Sequence, residues 1–142
     1  MEKVIIQGIK ANDHRILSRV ITRIENDDYV HDKRFIELYD QAQEAIRLGI
    51  TGPPGAGKST ITNELIKRFL KNNQTIGVIA IDPSSPFSGG ALLGDRVRMN
   101  HYTNEKNVFI RSMGTHGNLG GLARKSQEAG DILVCSLATF TS

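Results

Sequence analysis

Apolar residues recur at helical spacing early in the chain, where Ile16, Leu17, Val20, Ile21 and Ile24 follow Asn12 and Asp13. This spacing predicts an amphipathic helix, and either preceding residue can cap it by accepting a backbone N–H bond. A second helix is expected to carry Phe35, Ile36, Leu38, Tyr39 and Ala42. Both apolar faces must bury against something, and the following segment is the nearest surface. Further on, the pattern changes to short apolar runs separated by amphipathic stretches, at Ile46 to Thr51, Ile76 to Ile81, Val108 to Arg111 and Ile132 to Leu137. That alternation predicts parallel strands joined by helices, an α/β fold. The helix after the first strand is expected to bury Ile61, Leu65, Ile66, Phe69 and Leu70. It turns Asn63, Glu64, Lys67 and Arg68 to water and stops at Asn72-Asn73.

Composition narrows this picture. The 142 residues suit one ordinary domain, and 39% hydrophobic residues are too many for a disordered chain. A formal charge of +3 is too mild to announce nucleic acid or an anionic membrane. The single cysteine, Cys135, excludes an internal disulfide and any zinc site built on several thiolates. The start, Met1 to Ile6, lacks a signal-peptide stretch, and every apolar run is far shorter than a membrane helix needs, so a cytoplasmic protein is expected. Of the 14 glycines only Gly8 precedes residue 49. The chain is therefore expected to divide into a helical extension over residues 1–44 and an α/β unit over residues 45–142.

Gly52-Pro53-Pro54-Gly55-Ala56-Gly57-Lys58-Ser59 fits the pattern of a phosphate-binding loop and lies between a predicted strand and a predicted helix. Small residues let the backbone curl so that successive N–H groups point inward, and the helix adds its positive end, so the loop can enclose a phosphate. Lys58 can reach the β and γ oxygens of a nucleoside triphosphate, and the Ser59 hydroxyl is placed to ligate Mg²⁺ bridging them. A chance glycine-rich turn is the competing reading, and the flanking elements weigh against it.

Asp82 closes a predicted strand ahead of Pro83, at the sheet edge where open α/β folds bind ligands. It either holds the metal or merely starts a turn. Asp95, after the glycine-rich stretch Ser88 to Gly94, is either a second metal ligand or a helix cap. Arg96, Arg98 and Arg111 carry charge that could neutralise phosphate, although each reads individually as a surface cation. His116 sits in a glycine-rich loop, where an ordinary loop histidine is favoured over a general base. The four histidines show no metal-ligand spacing with Cys135.

Two blocks carry a family resemblance. Gly49-Ile50-Thr51-Gly52-Pro53-Pro54-Gly55-Ala56-Gly57-Lys58-Ser59-Thr60 is the first, and Ile81-Asp82-Pro83-Ser84-Ser85-Pro86-Phe87-Ser88-Gly89-Gly90-Ala91-Leu92-Leu93-Gly94-Asp95-Arg96-Val97-Arg98-Met99 the second. Together they resemble the MeaB/ArgK family of P-loop GTPases, chaperones of the B12-dependent methylmalonyl-CoA mutase. The match continues through Arg111-Ser112-Met113-Gly114-Thr115 and Leu119-Gly120-Gly121-Leu122-Ala123. The resemblance implies GTP and Mg²⁺ as cofactors, held along Gly52, Pro53, Pro54, Gly55, Ala56, Gly57, Lys58, Ser59 and Thr60. It implies catalytic roles for Lys58, Asp82 and Asp95, and metal contacts from Ser59, Asp82 and Asp95. A B12-dependent acyl-CoA mutase is the implied partner, and full-length members form homodimers.

The chain departs from that family at its end. Where a Glu-Thr-x-Gly segment is expected after the fourth strand, Cys135, Ser136 and Ala138 stand in place of the glutamate, threonine and glycine. Cys135 then reads as a buried strand residue. The segment that reads guanine and the dimerising arm would follow residue 142, so the resemblance implies either a C-terminally truncated or frame-shifted member or an excerpt of a longer one. Such a product is expected to expose apolar surface, to aggregate readily and to bind nucleotide weakly. Two other readings stay open, an ATP-dependent small-molecule kinase and a non-catalytic mutase-binding fragment.

Overall fold

The computed structural model describes residues 2–26, 45–53, 55–82, 102, 104–114 and 119–137. Helices α1 (Glu2–Lys10), α2 (His14–Glu25), α3 (Lys58–Lys71) and α4 (Leu119–Leu137) surround strands β1 (Ile76–Asp82) and β2 (Val108–Gly114). The strands pair in parallel from Ile76↔Val108 to Asp82↔Gly114. The fold class is α/β, as expected, and β2 extends three residues beyond the predicted Arg111. The helix expected over residues 35–42 lies outside the described residues.

Helix α2 forms where its apolar spacing places it. Asp13 is the cap, its Oδ1 accepting from the backbone N–H groups of Arg15 at 2.9 Å and Ile16 at 3.3 Å. Leu17, Val20, Ile21 and Ile24 are all at most 1% exposed, each burial worth about 1.5–3 kcal/mol relative to exposure. Helix α1, which the pattern did not predict, precedes it through a tight turn at Asn12 (φ 55°). The crossing is close enough that a Cβ at Gly8 would collide with the Ile16 side chain.

The two sheet faces have different partners. Ile79, Phe109 and Met113 face α1, α2 and α4 in one apolar cluster. Ile76, Val78, Val108 and Ile110 face Ile66 and Leu70 of α3 in another. Helix α3 is less buried than its pattern predicts. Ile66 is 1% exposed but Ile61 is 53% exposed, Leu65, Phe69 and Leu70 are half-buried, and Asn63 is half-buried rather than turned fully to water. The predicted stop holds, with Asn72 as the C-cap and Asn73 at φ 57°.

Two predicted strands are not strands. Ile132 to Leu137 forms the end of α4, where Ala129, Ile132, Leu133 and Ser136 fall on one buried stripe at helical spacing. A short, mostly apolar run fits a buried helix as well as a buried strand, and here packing against α1 and α2 decides. Ile46 to Thr51 has no ladder partner among the described residues, and Ile46, Leu48 and Ile50 are 89%, 58% and 39% exposed. Alternation tells which side chains share a face, not whether a neighbouring backbone supplies hydrogen bonds. Instead, Arg47 Nη2 reaches Asp131 Oδ1 of α4 at 2.7 Å.

Candidate functional site

The loop from Gly52 to Gly57 leads directly into α3. Gly55 (φ 80°) and Gly57 (φ 93°) adopt left-handed backbone conformations that residues with a Cβ rarely enter. They turn the chain into a short curl, closed by a hydrogen bond from Ala56 N–H to Pro53 O at 3.2 Å. Gly57 is the N-cap of α3 and supplies no side-chain bond, so no cap side chain accepts from the donors of the helix's first turn. That leaves a concentration of positive partial charge at the loop.

Lys58 folds over this curl. Its Nζ donates to Gly52 O at 2.7 Å and to Pro53 O at 3.0 Å. An ammonium has three donors, and these two bonds hold it across the mouth of the loop. Ser59 is half-buried and Thr60 exposed, both in the first turn of α3, whose path is further fixed by Thr62 Oγ1 donating to Lys58 O at 2.8 Å. The backbone of Asp82 ends β1 at the carboxyl edge of the sheet, opposite Gly114. Thus the structure brings Gly52, Pro53, Gly55, Ala56, Gly57, Lys58, Ser59 and Thr60 together. Pro54, Asp95, Arg96, Arg98 and His116 lie outside the described residues. Among the described residues no group of three or more His, Cys, Asp or Glu could by itself hold a metal ion.

Arg111 is not a phosphate cation here, nor an exposed one. It faces α2, donating to Ser18 Oγ at 2.8 Å, Thr22 Oγ1 at 2.9 Å and Glu25 Oε1 at 2.9 Å. The ion pair is largely dry, with side-chain exposures of 14% and 2%. Cys135 is buried, as read from sequence, although within α4. Burial, reinforced by the nearby negative charge of Asp131, pushes its thiol up to about 11, leaving it protonated and unreactive at neutral pH.

Two features escaped the sequence reading. Asn12 links three segments, its Nδ2 donating to Lys106 O at 3.0 Å and its Oδ1 accepting from Ser136 Oγ at 2.8 Å. Ser112, on the α3 face of β2, is fully buried with no hydrogen-bond partner for its hydroxyl among the described residues. Strand alternation could have flagged Ser112 as sharing a face with Ile110; nothing in the residue string pairs Asn12 with position 136. No described helix is long and apolar enough to cross a membrane.

Comparison with known proteins identifies the family. Residues 17–141 match the model of the family described as methylmalonyl Co-A mutase-associated GTPase MeaB. A Pyrococcus abyssi protein carrying a provisional GTPase name is 49% identical over 91% of this chain and 40% of its own length. GTPase ArgK of Escherichia coli is 33% identical over 95% of this chain and 41% of its own. A fused isobutyryl-CoA mutase of Cupriavidus metallidurans is 48% identical over 78% of this chain and 10% of its own. The chain therefore spans about two fifths of the length of the GTPase relatives it matches. With the family match covering the glycine-turned loop, the carboxyl edge and most of the chain, the protein belongs to the MeaB family of methylmalonyl-CoA mutase-associated GTPases.

Proposed function

We propose that this chain is the phosphate- and magnesium-binding portion of a cytoplasmic GTP-binding and GTP-hydrolysing chaperone of a B12-dependent acyl-CoA mutase. In that reading residues 1–44 form a helical extension and residues 45–142 part of the GTPase domain. The observation that carries it is the loop: left-handed Gly55 and Gly57 run into a helix with no side-chain cap, with the Lys58 ammonium across the opening. Backbone donors, a helix N-terminus and one mobile-stemmed cation make a site for a polyphosphate.

The residues fit the group. Gly52, Gly55, Ala56 and Gly57 would turn main-chain N–H groups toward the β phosphate, while Pro53 and Pro54, which have no N–H to offer, would shape the loop around it. Lys58 would exchange its bonds to Gly52 O and Pro53 O for phosphate oxygens, and Thr60 would line the nucleotide from the first turn of α3. Ser59, Asp82 and Asp95 would hold Mg²⁺, which when bound neutralises charge on the terminal phosphates. The mutase association is supported by the family description and by the relative that carries a mutase in the same chain.

Titration of fluorescent GTP and ATP into the chain, with Lys58→Ala as control, tests this. Magnesium-dependent binding that falls at least tenfold in the variant is expected. Equal binding by both proteins would overturn the reading, and a clear preference for ATP with phosphoryl transfer to a small molecule would favour a kinase instead.

A further inference from the structure

The buried hydroxyl of Ser112 has no structural task that the described residues reveal. Ser112 is 0% exposed, and its Oγ has no hydrogen-bond partner among them. An orphaned hydroxyl in an apolar setting is unfavourable, and alanine would fill nearly the same volume without that cost. Its place in the fold is informative. Val108 and Ile110 share its face of β2 and pack with Ile66 and Leu70 of α3. Ser112 continues that row toward the carboxyl edge, so it lies toward the beginning of α3, where Lys58 and Ser59 stand. Across the ladder it pairs with Ala80, and position 82 of β1 pairs with Gly114. Positions 112 and 82 are therefore diagonal neighbours on one face. In a parallel ladder, with strands about 4.8 Å apart and a rise of about 3.3 Å per residue, such neighbours lie about 8 Å apart, a span that an aspartate, a serine and one hydrogen bond can cover.

We infer that Ser112 is a positioning residue for the magnesium site, its hydroxyl donating to the Asp82 carboxylate when the metal and nucleotide are bound. This inference rests on the proposed function above. Outer partners of metal-ligating carboxylates fix their orientation, and losing one weakens metal affinity by about 10- to 100-fold. Ser112 touches neither substrate nor metal in this arrangement and acts through Asp82 alone.

The test compares the chain with Ser112→Ala and Ser112→Thr, using Mn²⁺ as the probe. Metal affinity is measured in the presence of saturating GDP, GDP binding is measured without metal, and the melting temperature is measured without either. In Ser112→Ala, Mn²⁺ affinity is expected to fall about tenfold, with metal-free GDP binding within about twofold and melting unchanged or raised. Ser112→Thr, which keeps the hydroxyl, is expected to restore metal affinity. Unchanged Mn²⁺ affinity in Ser112→Ala would overturn the inference and leave the nucleotide site standing. Loss of melting temperature in parallel with metal affinity would likewise assign Ser112 a packing role. Failure of the unaltered chain to bind metal and nucleotide together would overturn the proposed function, and this inference with it.

Discussion

The two sides of the sheet are built for different purposes. On one, α1, α2 and α4 bury Ile9, Leu17, Ile21, Ile24 and Met113 to at most 1% exposure and lock β2 to α2 through a dry Arg111–Glu25 pair. On the other, Ile66 is the one residue of α3 buried to that degree among the described residues, and the loop feeding it is exposed from Gly52 to Gly57 wherever described. The first side is held by an extensive side-chain core, the second by a smaller cluster around Ile66 and Val108 that leaves the loop to be shaped by backbone geometry at two glycines and a lysine. Substitutions should therefore separate: on the packed side they should cost stability, and at the loop they should cost binding.

The largest stability loss is expected from Leu17→Ala, which opens a cavity at a fully buried position. Chemical denaturation should show a loss of about 3 kcal/mol, while nucleotide affinity per folded molecule stays within about twofold. Glu25→Gln should follow at about 2–3 kcal/mol, because it leaves the nearly dry Arg111 guanidinium without its counter-charge. Gly57→Ala should cost about 1–2 kcal/mol for forcing a Cβ into a left-handed backbone. Its effect on nucleotide binding should exceed its effect on stability, the reverse of Leu17→Ala. The smallest change is expected from Arg47→Ala. It removes an ion pair whose partners are 43% and 41% exposed, so less than about 1 kcal/mol should be lost.

Cys135 sharpens the contrast through pH. Its thiol is raised from 9.0 to about 11 in the folded chain, chiefly by burial. The unfolded chain therefore releases this proton first as pH rises. The contribution is fully present below pH 9 and is lost progressively as pH climbs toward 11. Cys135→Ala should flatten the decline in melting temperature over that interval. An unchanged slope would show that another group controls it.

What could be read from the residue string follows the same division. Asp13 and the spacing of Ile16 to Ile24 foretold α2 because capping and amphipathic periodicity are local properties. The loop was legible because glycine, lysine and serine at fixed intervals report backbone chemistry directly. Ile132 to Leu137 was misassigned because a short, mostly apolar run has no clear period, and its helical state depends on α1 and α2, more than a hundred residues earlier in sequence. Ile46 to Thr51 was misassigned because a strand needs a neighbour that the alternation does not specify. The Arg111–Glu25 pair joins positions 86 residues apart, and only the packed fold brings them together.

The central claim is that the main-chain amides from Gly55 to Thr60 enclose a magnesium-bound polyphosphate. Backbone amide NMR shifts, followed while magnesium GTP is added to the isotopically labelled chain, test it most directly. The largest saturable shifts are predicted at Gly55, Ala56, Gly57, Lys58 and Ser59, and they should be lost in Lys58→Ala. Saturable shifts confined to α2 and α4, with those loop amides unmoved, would contradict it.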